Sequence, residues 1–308
     1  MITLPKTDLK VHPLCLGGNV FGWTANEAES FAVLDAYVEA GGNFIDTADV
    51  YSEWNPGNKG GESETIIGKW MAARGNRKDL IIATKVAKLS TRAGLSAANI
   101  EAALDDSLSR LQTDYVDLYY SHHDDKDVAL EETLGAHNEA VVAGKVRYIG
   151  ASQHTAARLL EAVKVSKTHG FAEYVVLQDH YNLMERTPFE SEQAAAVAEL
   201  GISVLPFYGL ARGFLTGKYR PGVKVDSIRA GGVTDYQTDK GWKVVETLDA
   251  TAKVHGSSIS AVALAWLRAN SAVSTPIASA RTVEQLHEIM QVITLTSEQV
   301  TELNEASR

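Results

Sequence analysis

Short apolar runs alternate with segments of helical periodicity along almost the whole chain. The runs lie at Val11–Gly17, Asn43–Thr47, Leu80–Lys85, Tyr115–Tyr120, Val146–Ala151, Tyr174–Gln178, Ile202–Phe207 and Val273–Ile277. Several are rich in Val, Ile and Tyr, and Gly, Asp or Asn bounds most of them, which is how strands read. Between them, Ser30–Ala40 places Phe31, Leu34, Tyr37 and Val38 on one helical face and stops at Gly41-Gly42. Ser96–Leu111 does the same with Ile100, Leu104, Leu108 and Leu111. Glu131–Ala143 ends at Gly144, and Ser257–Ala269 carries Ile259, Val262, Leu264 and Leu267.

Strands that alternate with helices imply parallel β/α units. Alternation alone does not separate a closed barrel from an open doubly wound sheet. The placement of polar residues does: Asp46, Lys85, His122, Ser152 and Gln178 all fall at the C-terminal ends of predicted strands. Barrel enzymes build their sites at that rim, from several strands at once. A dinucleotide-binding open sheet instead puts Gly-x-Gly-x-x-Gly after its first strand, and that pattern is absent there. The expectation is therefore a (β/α)₈ TIM barrel, α/β in class, with long loops on the C-terminal face and one domain over residues 1–308. The longest stretch without a predicted strand is Tyr208–Ser271, which opens with the Gly- and Arg-rich loop Ala211–Gly232. A loop of that length in a compact domain is usually functional.

A chain of 308 residues suits one such barrel. Its 29 basic against 39 acidic residues leave a net charge of −10, which repels phosphate backbones and argues against a nucleic-acid partner. A small anionic cofactor on a local basic cluster stays compatible with that charge. The single cysteine, Cys15, excludes an intrachain disulfide and sits in an apolar stretch, as a core thiol does. The start of the chain lacks an apolar segment behind a basic one, and no run of about 18 uncharged apolar residues occurs. A cytoplasmic protein without a membrane span is expected.

The strand ends carry chemistry. Asn43–Thr47 delivers Asp46, Tyr51 follows in the next loop, the third run ends on Lys85, and the fourth leads to His122. An acid, a phenol, an ammonium and an imidazole on one rim suit carbonyl reduction, because hydride addition leaves an alkoxide that needs a proton. A free phenol, with a pKa of about 10, is a poor donor near neutrality. An adjacent Lys85 ammonium is expected to lower it, with Asp46 holding Lys85 charged and His122 orienting the carbonyl.

The segments GGNFIDTADVY, IIATKV, SLSRLQTDYVDLYYSHHDD and GKVRYIGAS, in this order, resemble the successive signatures of the aldo-keto reductase superfamily. The likeness runs from Gly17 to about Leu286. It implies the barrel, NADPH-dependent carbonyl reduction, and a catalytic tetrad falling on Asp46, Tyr51, Lys85 and His122, with Tyr51 as proton donor. It also implies a nicotinamide site at Ser152, Gln153 and Gln178, where Gln153 replaces the usual Asn. Gly18, Asn19 and Asp46 belong to the same expected site. The segment from Phe207 to Lys218 resembles the pyrophosphate clamp of the family. Phe207 is expected to stack on the nicotinamide with Tyr208 beside it. Gly213 and Gly217 would allow close backbone approach, Gly209 and Leu210 belong to the same expected cofactor segment, and Arg212 and Lys218 supply charge. Ser279, Arg281 and Gln285 resemble the adenosine end, Arg281 facing the 2′-phosphate that separates NADP(H), the expected cofactor, from NAD(H).

Trp23, Trp54 and His123 are expected to line the substrate pocket. His122-His123-Asp124-Asp125 is not expected to bind metal, since neighbours on an extended segment point apart and no matching His or Cys cluster exists. Two other readings stay open here: a Schiff-base lyase using Lys85, and a cofactor-binding regulatory subunit with slow turnover. The expected partner is a small carbonyl or alcohol substrate. The motifs leave its identity and the oligomeric state open.

Overall fold

The computed structural model describes residues 1–223, 225 and 230–308. Its elements in chain order are β1 (Ile2–Thr3), β2 (Lys10–Val11), β3 (Cys15–Gly17), α1 (Glu27–Glu39), β4 (Phe44–Asp46), α2 (Glu62–Arg74), β5 (Ile81–Val86), α3 (Ala97–Leu111), β6 (Val116–Ser121), α4 (Leu130–Val142), β7 (Val146–Ser152), α5 (Ala156–His169), β8 (Tyr174–His180), α6 (Ala194–Leu200), β9 (Ser203–Phe207), α7 (Asp239–His255), α8 (Ile259–Arg268), β10 (Ile277–Ala278), α9 (Val283–Met290) and α10 (Ser297–Ala306). Eight strands form one sheet in the order β10-β3-β4-β5-β6-β7-β8-β9, every pair parallel. The ring closes between β9 and the chain before β10. There Val204 donates its N–H to the Ala272 carbonyl (2.8 Å) and accepts from Ser274 N–H (3.3 Å). The fold is a (β/α)₈ TIM barrel.

Two expected strands are displaced, each beside a proline. The run Val11–Gly17 splits at His12-Pro13. Its first part pairs antiparallel with β1 and its second enters the barrel as β3. The last run does not form a strand over Val273–Ile277. Proline has no N–H to give a ladder, and the pairing with β3 begins just past Pro276, at Ile277. The β1–β2 hairpin is an addition to the expected elements. Asn43 ties it to the barrel by accepting from His12 N–H (2.9 Å) and donating to the Lys10 carbonyl (2.8 Å). Helix α1 begins earlier than expected because Asn26 caps it and Glu29 completes a capping box. The expected loop Ala211–Gly232 falls partly outside the described residues. Its described part opens over Ala211–Thr216 with tight turns in which Ala211 (φ 46°), Arg212 (φ 57°) and Gly213 (φ 98°) are left-handed.

The barrel interior is a separate packed layer. Leu4, Leu9 and Val11 of the hairpin region seal its N-terminal end against Cys15, Phe44, Ile81, Leu118, Val176 and Leu205. Cys15 is fully buried there, as a core thiol. The larger core lies between strands and helices and includes Leu34, Trp70, Leu104, Leu134, Leu159 and Leu264. Among the described residues no helix is long and apolar enough to cross a membrane.

Helices α2 and α3 meet at Gly68. A Cβ there would lie 2.1 Å from the Arg110 carbonyl oxygen and 2.7 Å from the Leu111 carbonyl carbon, both backbone. Helix propensity alone favours alanine by about 1 kcal/mol, but the backbone clash opposes it. Gly68→Ala is expected to lower the unfolding free energy by about 2 kcal/mol. A urea titration checks this, and a variant as stable as the parent removes the close approach as the reason for glycine.

Candidate active site

Side chains alternate across a strand, and this alternation builds the site. The inward-facing rows of the barrel are apolar at depth and polar at the C-terminal rim: Phe44 then Asp46, Ile81 and Ala83 then Lys85, Leu118 and Tyr120 then His122, Val176 then Gln178. In β7 the row runs Tyr148, Gly150, Ser152. Glycine stands in the middle because a Cβ at Gly150 would lie 2.4 Å from the Tyr120 ring.

Four of these groups converge with Tyr51. Lys85 Nζ donates to Asp46 Oδ2 (2.6 Å), to the Thr47 carbonyl (2.7 Å) and to Tyr51 Oη (2.9 Å). An ammonium has three protons, so all are used. Gln178 Nε2 donates to the other carboxylate oxygen of Asp46 (2.9 Å), and Tyr51 Oη donates to Asp46 Oδ2 over a longer 3.3 Å. Lys85 is 0% exposed and lies beneath the rim, while Tyr51, Asp46 and His122 reach the cleft above it. A Schiff base requires a neutral amine with a free lone pair. A buried ammonium with three acceptors is the opposite arrangement.

The phenol departs from expectation. Burial, and next the Asp46 charge, push Tyr51 well above its ordinary pKa rather than below it. Lys85 does not offset these effects, because it already faces the opposite charge of Asp46 and the pair offers a phenolate little net attraction. Tyr51 is therefore protonated over the whole neutral range. Burial, then the charges of Lys85 and Lys88, hold His122 well below its usual pKa, so the imidazole is neutral. Its Nδ1 is buried without a hydrogen-bond partner among the described residues. The His122 and Tyr51 ring centroids are 6.1 Å apart.

A cleft of about 800 Å³ covers these strand ends, within the range of small-molecule and cofactor sites. It runs from Val50, Tyr51, Trp54 and His122 past Ser152, Gln178 and Phe207 to Arg212, Lys218, Arg281 and Gln285. Ser152 Oγ is buried in its wall with no hydrogen-bond partner among the described residues. A length of cleft with an unsatisfied hydroxyl near the tetrad and cations at the far end fits a nicotinamide dinucleotide. Ser260 in the first turn of α8, and Arg281 and Gln285 at the start of α9, also bring helix N-termini to the cations' end.

The Aldo/keto reductase family profile matches residues 13–308. The chain is 35% identical over 302 residues to the uncharacterized oxidoreductase YrpG of Bacillus subtilis, covering 94% of this chain and 90% of that protein. It is 34% identical over 311 residues to Protein tas of Escherichia coli, with 92% and 90% covered. Norsolorinic acid reductase B of Aspergillus parasiticus is 31% identical over 324 residues, with 98% and 82% covered. This chain belongs to the aldo/keto reductase family. It is an oxidoreductase of a family that reduces small carbonyl compounds with nicotinamide cofactors.

Within this aldo/keto reductase the remaining expected residues divide. Asn19, Gln153, Tyr208, Leu210, Gly213 and Ser279 line the cleft. Asn19 and Ser279 are hydrogen-bonded to each other (2.5 Å). Gln153 uses its longer stem to donate to the His122 carbonyl (3.1 Å), and Gln285 Oε1 accepts from Arg281 N–H (3.0 Å). The Phe207 ring is stacked on His180 (5.4 Å) and lines the cleft as well. Arg212 lies over the Tyr208 ring (5.0 Å).

Gly18, Gly209, Trp23 and His123 do not form the wall. Gly18 packs beneath it, its N–H on the Asp46 carbonyl (2.8 Å) and its carbonyl on Ser63 Oγ (2.8 Å). Gly209 faces Leu267, which a Cβ would approach to 3.0 Å. Trp23 stands edge-on behind Trp54 (5.5 Å). His123, next to an inward-facing residue, turns away and pairs with the Asp124 carbonyl (2.7 Å). Lys88, Glu288 and Ile289 line the cleft without having been expected. Glu288 and Ile289 follow Gln285 at helical spacing on α9, a signal the sequence carries. Lys88 has no such signal, because it follows Ala87, a non-glycine residue at φ 113°.

Asp49, between Asp46 and Tyr51, is fully buried, and neither carboxylate oxygen has a hydrogen-bond partner among the described residues. Burial first, and then the Glu64 charge, raise its pKa to about 7 against the pull of Arg110 and Arg92. Below about pH 4 the group is neutral in folded and unfolded chains alike. Between there and about 7 only the unfolded chain releases the proton, so stability falls as pH rises through that window, by about 4 kcal/mol at full ionisation. Asp49→Asn is expected to flatten this fall. Urea midpoints from pH 5 to 8 test it, and equal slopes in parent and variant remove Asp49 as the cause.

Proposed function

We propose that this aldo/keto reductase converts an aldehyde or ketone to the alcohol, with NADP(H) preferred over NAD(H). What supports this reading most is the single ammonium of Lys85 gripping Asp46 and Tyr51 Oη at once, at the end of a cleft whose other end holds Arg281. When bound, the reduced nicotinamide supplies the hydride.

The chain does the rest. Substrate enters beside Trp54 with its carbonyl oxygen toward Tyr51 Oη and the neutral His122 ring, which orients it. As charge develops on that oxygen, Tyr51 gives up its proton. A raised phenol pKa suits this step, because the donor stays loaded at neutral pH and an alkoxide is a far stronger base than a phenolate. The phenolate left behind keeps the 2.9 Å hydrogen bond from Lys85, and Asp46 holds Lys85 in register. Ser152 and Gln178 hold the carboxamide, Phe207 presents its ring to the nicotinamide, and Arg212 and Lys218 face the pyrophosphate. Arg281 pairs with the 2′-phosphate, with Asn19, Ser279 and Gln285 around the adenosine. The norsolorinic acid reductases and an aryl-alcohol dehydrogenase of Pestalotiopsis microspora among its relatives are named for the same reaction class.

Tyr51→Phe removes the proton donor and leaves the cofactor residues in place. Turnover is expected to fall by about 100-fold or more, with NADPH affinity retained. Steady-state kinetics with a panel of aldehydes check it, and undiminished turnover takes Tyr51 out of its role. Titration with NADPH and then NADH, read by fluorescence of the five tryptophans, tests the cofactor. Arg281→Met is expected to weaken NADPH about tenfold or more and to move NADH little. Equal affinity of the parent for both cofactors overturns the NADP(H) preference, and binding of neither overturns the reading.

A further inference from the structure

Lys88 is the one cation on the cleft wall at the Tyr51 end among the described residues; Arg212, Lys218 and Arg281 line the other end. It lies just past β5, and the backbone there is strained to place it. Ala87 holds φ 113°, a conformation unfavourable for a residue with a Cβ, and its carbonyl is fixed by Gly94 N–H (2.9 Å). Lys88 is half-buried and makes no hydrogen bond or ion pair among the described residues, yet its charge is felt at His122.

Carboxylates on the same rim are engaged elsewhere. Glu53, next to Trp54, accepts from Ser90 N–H (3.2 Å) and from its hydroxyl. Asp124 takes Arg158 (3.0 Å), and Asp125 takes Leu95 N–H (2.8 Å). The Ser90–Glu53 link also fixes the Lys88 loop against the Trp54 loop. Burial, and then the Lys85 charge, push the Lys88 pKa down, as happens to a cation that is partly desolvated without a counter-charge. Trp54 is 47% exposed, with Trp23 edge-on behind it and Tyr51 at 6.1 Å. An indole held this way offers an aromatic wall beside the ammonium.

We propose that Lys88 selects the substrate: it pairs with a carboxylate carried by an aromatic aldehyde or ketone whose ring rests on Trp54. This rests on the carbonyl-reductase reading above and narrows it to anionic aryl carbonyl compounds. The ammonium binds the acid, the indole binds the ring, and the carbonyl is left to Tyr51 and His122.

The test compares kcat/KM for 3- and 4-carboxybenzaldehyde with that for benzaldehyde, with NADPH, in the parent, Lys88→Met and Lys88→Arg. The parent is expected to favour at least one of the acids. That preference is expected to fall by about 10-fold or more in Lys88→Met, the scale of a charge-assisted hydrogen bond, and to be kept in Lys88→Arg. A preference unchanged in Lys88→Met overturns the proposal. Titration with benzoate and with its neutral isostere benzamide, followed by tryptophan fluorescence, needs no turnover. Benzoate binding that weakens about tenfold in Lys88→Met while benzamide binding does not supports the proposal. Equal effects on both ligands, or no binding of benzoate, overturn it. Absence of reduction of all three aldehydes alongside a Lys88-dependent benzoate signal counts against the reductase reading and leaves the anion site standing.

Discussion

The buried Lys85–Asp46 pair is the constraint on which the rim depends. Two opposite charges removed from water gain little unless every remaining polar valence is met. Here they are met from three strands and a loop. Asp46 comes from β4, Lys85 from β5, Gln178 from β8, and the loop after β4 must bend back to bring the Thr47 carbonyl and Tyr51 Oη to the ammonium. Loss of either charge strands the other in a dry interior, at a cost of about 3–5 kcal/mol. The same satisfaction that makes the pair tolerable also fixes the position of the phenol.

Core and site are consecutive layers of one packing arrangement. The residues below Asp46, Lys85 and His122 in each strand fill the barrel, so the polar groups stand on rigid strands with apolar neighbours beneath. The hairpin seals the far end with Leu4, Leu9 and Val11. Rigidity beneath and loops above are what a reaction with fixed donors and a variable substrate requires.

The barrel and its rim were legible because an apolar run tipped by one polar residue has a local signature, repeated at Asp46, Lys85, His122 and Gln178. The hairpin has no such signature because two-residue strands leave no period to read, and the strand limits near Pro13 and Pro276 are set by missing donors rather than by hydropathy. Residue identity also does not say which way a loop turns. Trp23, His123 and Gly18 sit near the rim in sequence yet off its surface, whereas Lys88 reaches it through a left-handed Ala87. The rise in the Tyr51 pKa comes first from its burial and next from the Asp46 charge, neither of which shows when the phenol is paired with Lys85 alone.

The closure of the ring has a consequence of its own. Between β9 and the chain before β10 the described residues make one isolated bridge, Val204 to Val273, whereas β6 and β7 share a ladder of paired residues. Arg212 and Lys218 follow β9, and Ser279 and Arg281 follow β10, so the two groups flank this seam. A dinucleotide held by both would act as a clasp across the least-bonded joint of the cylinder, coupling occupancy to the integrity of the barrel by mass action.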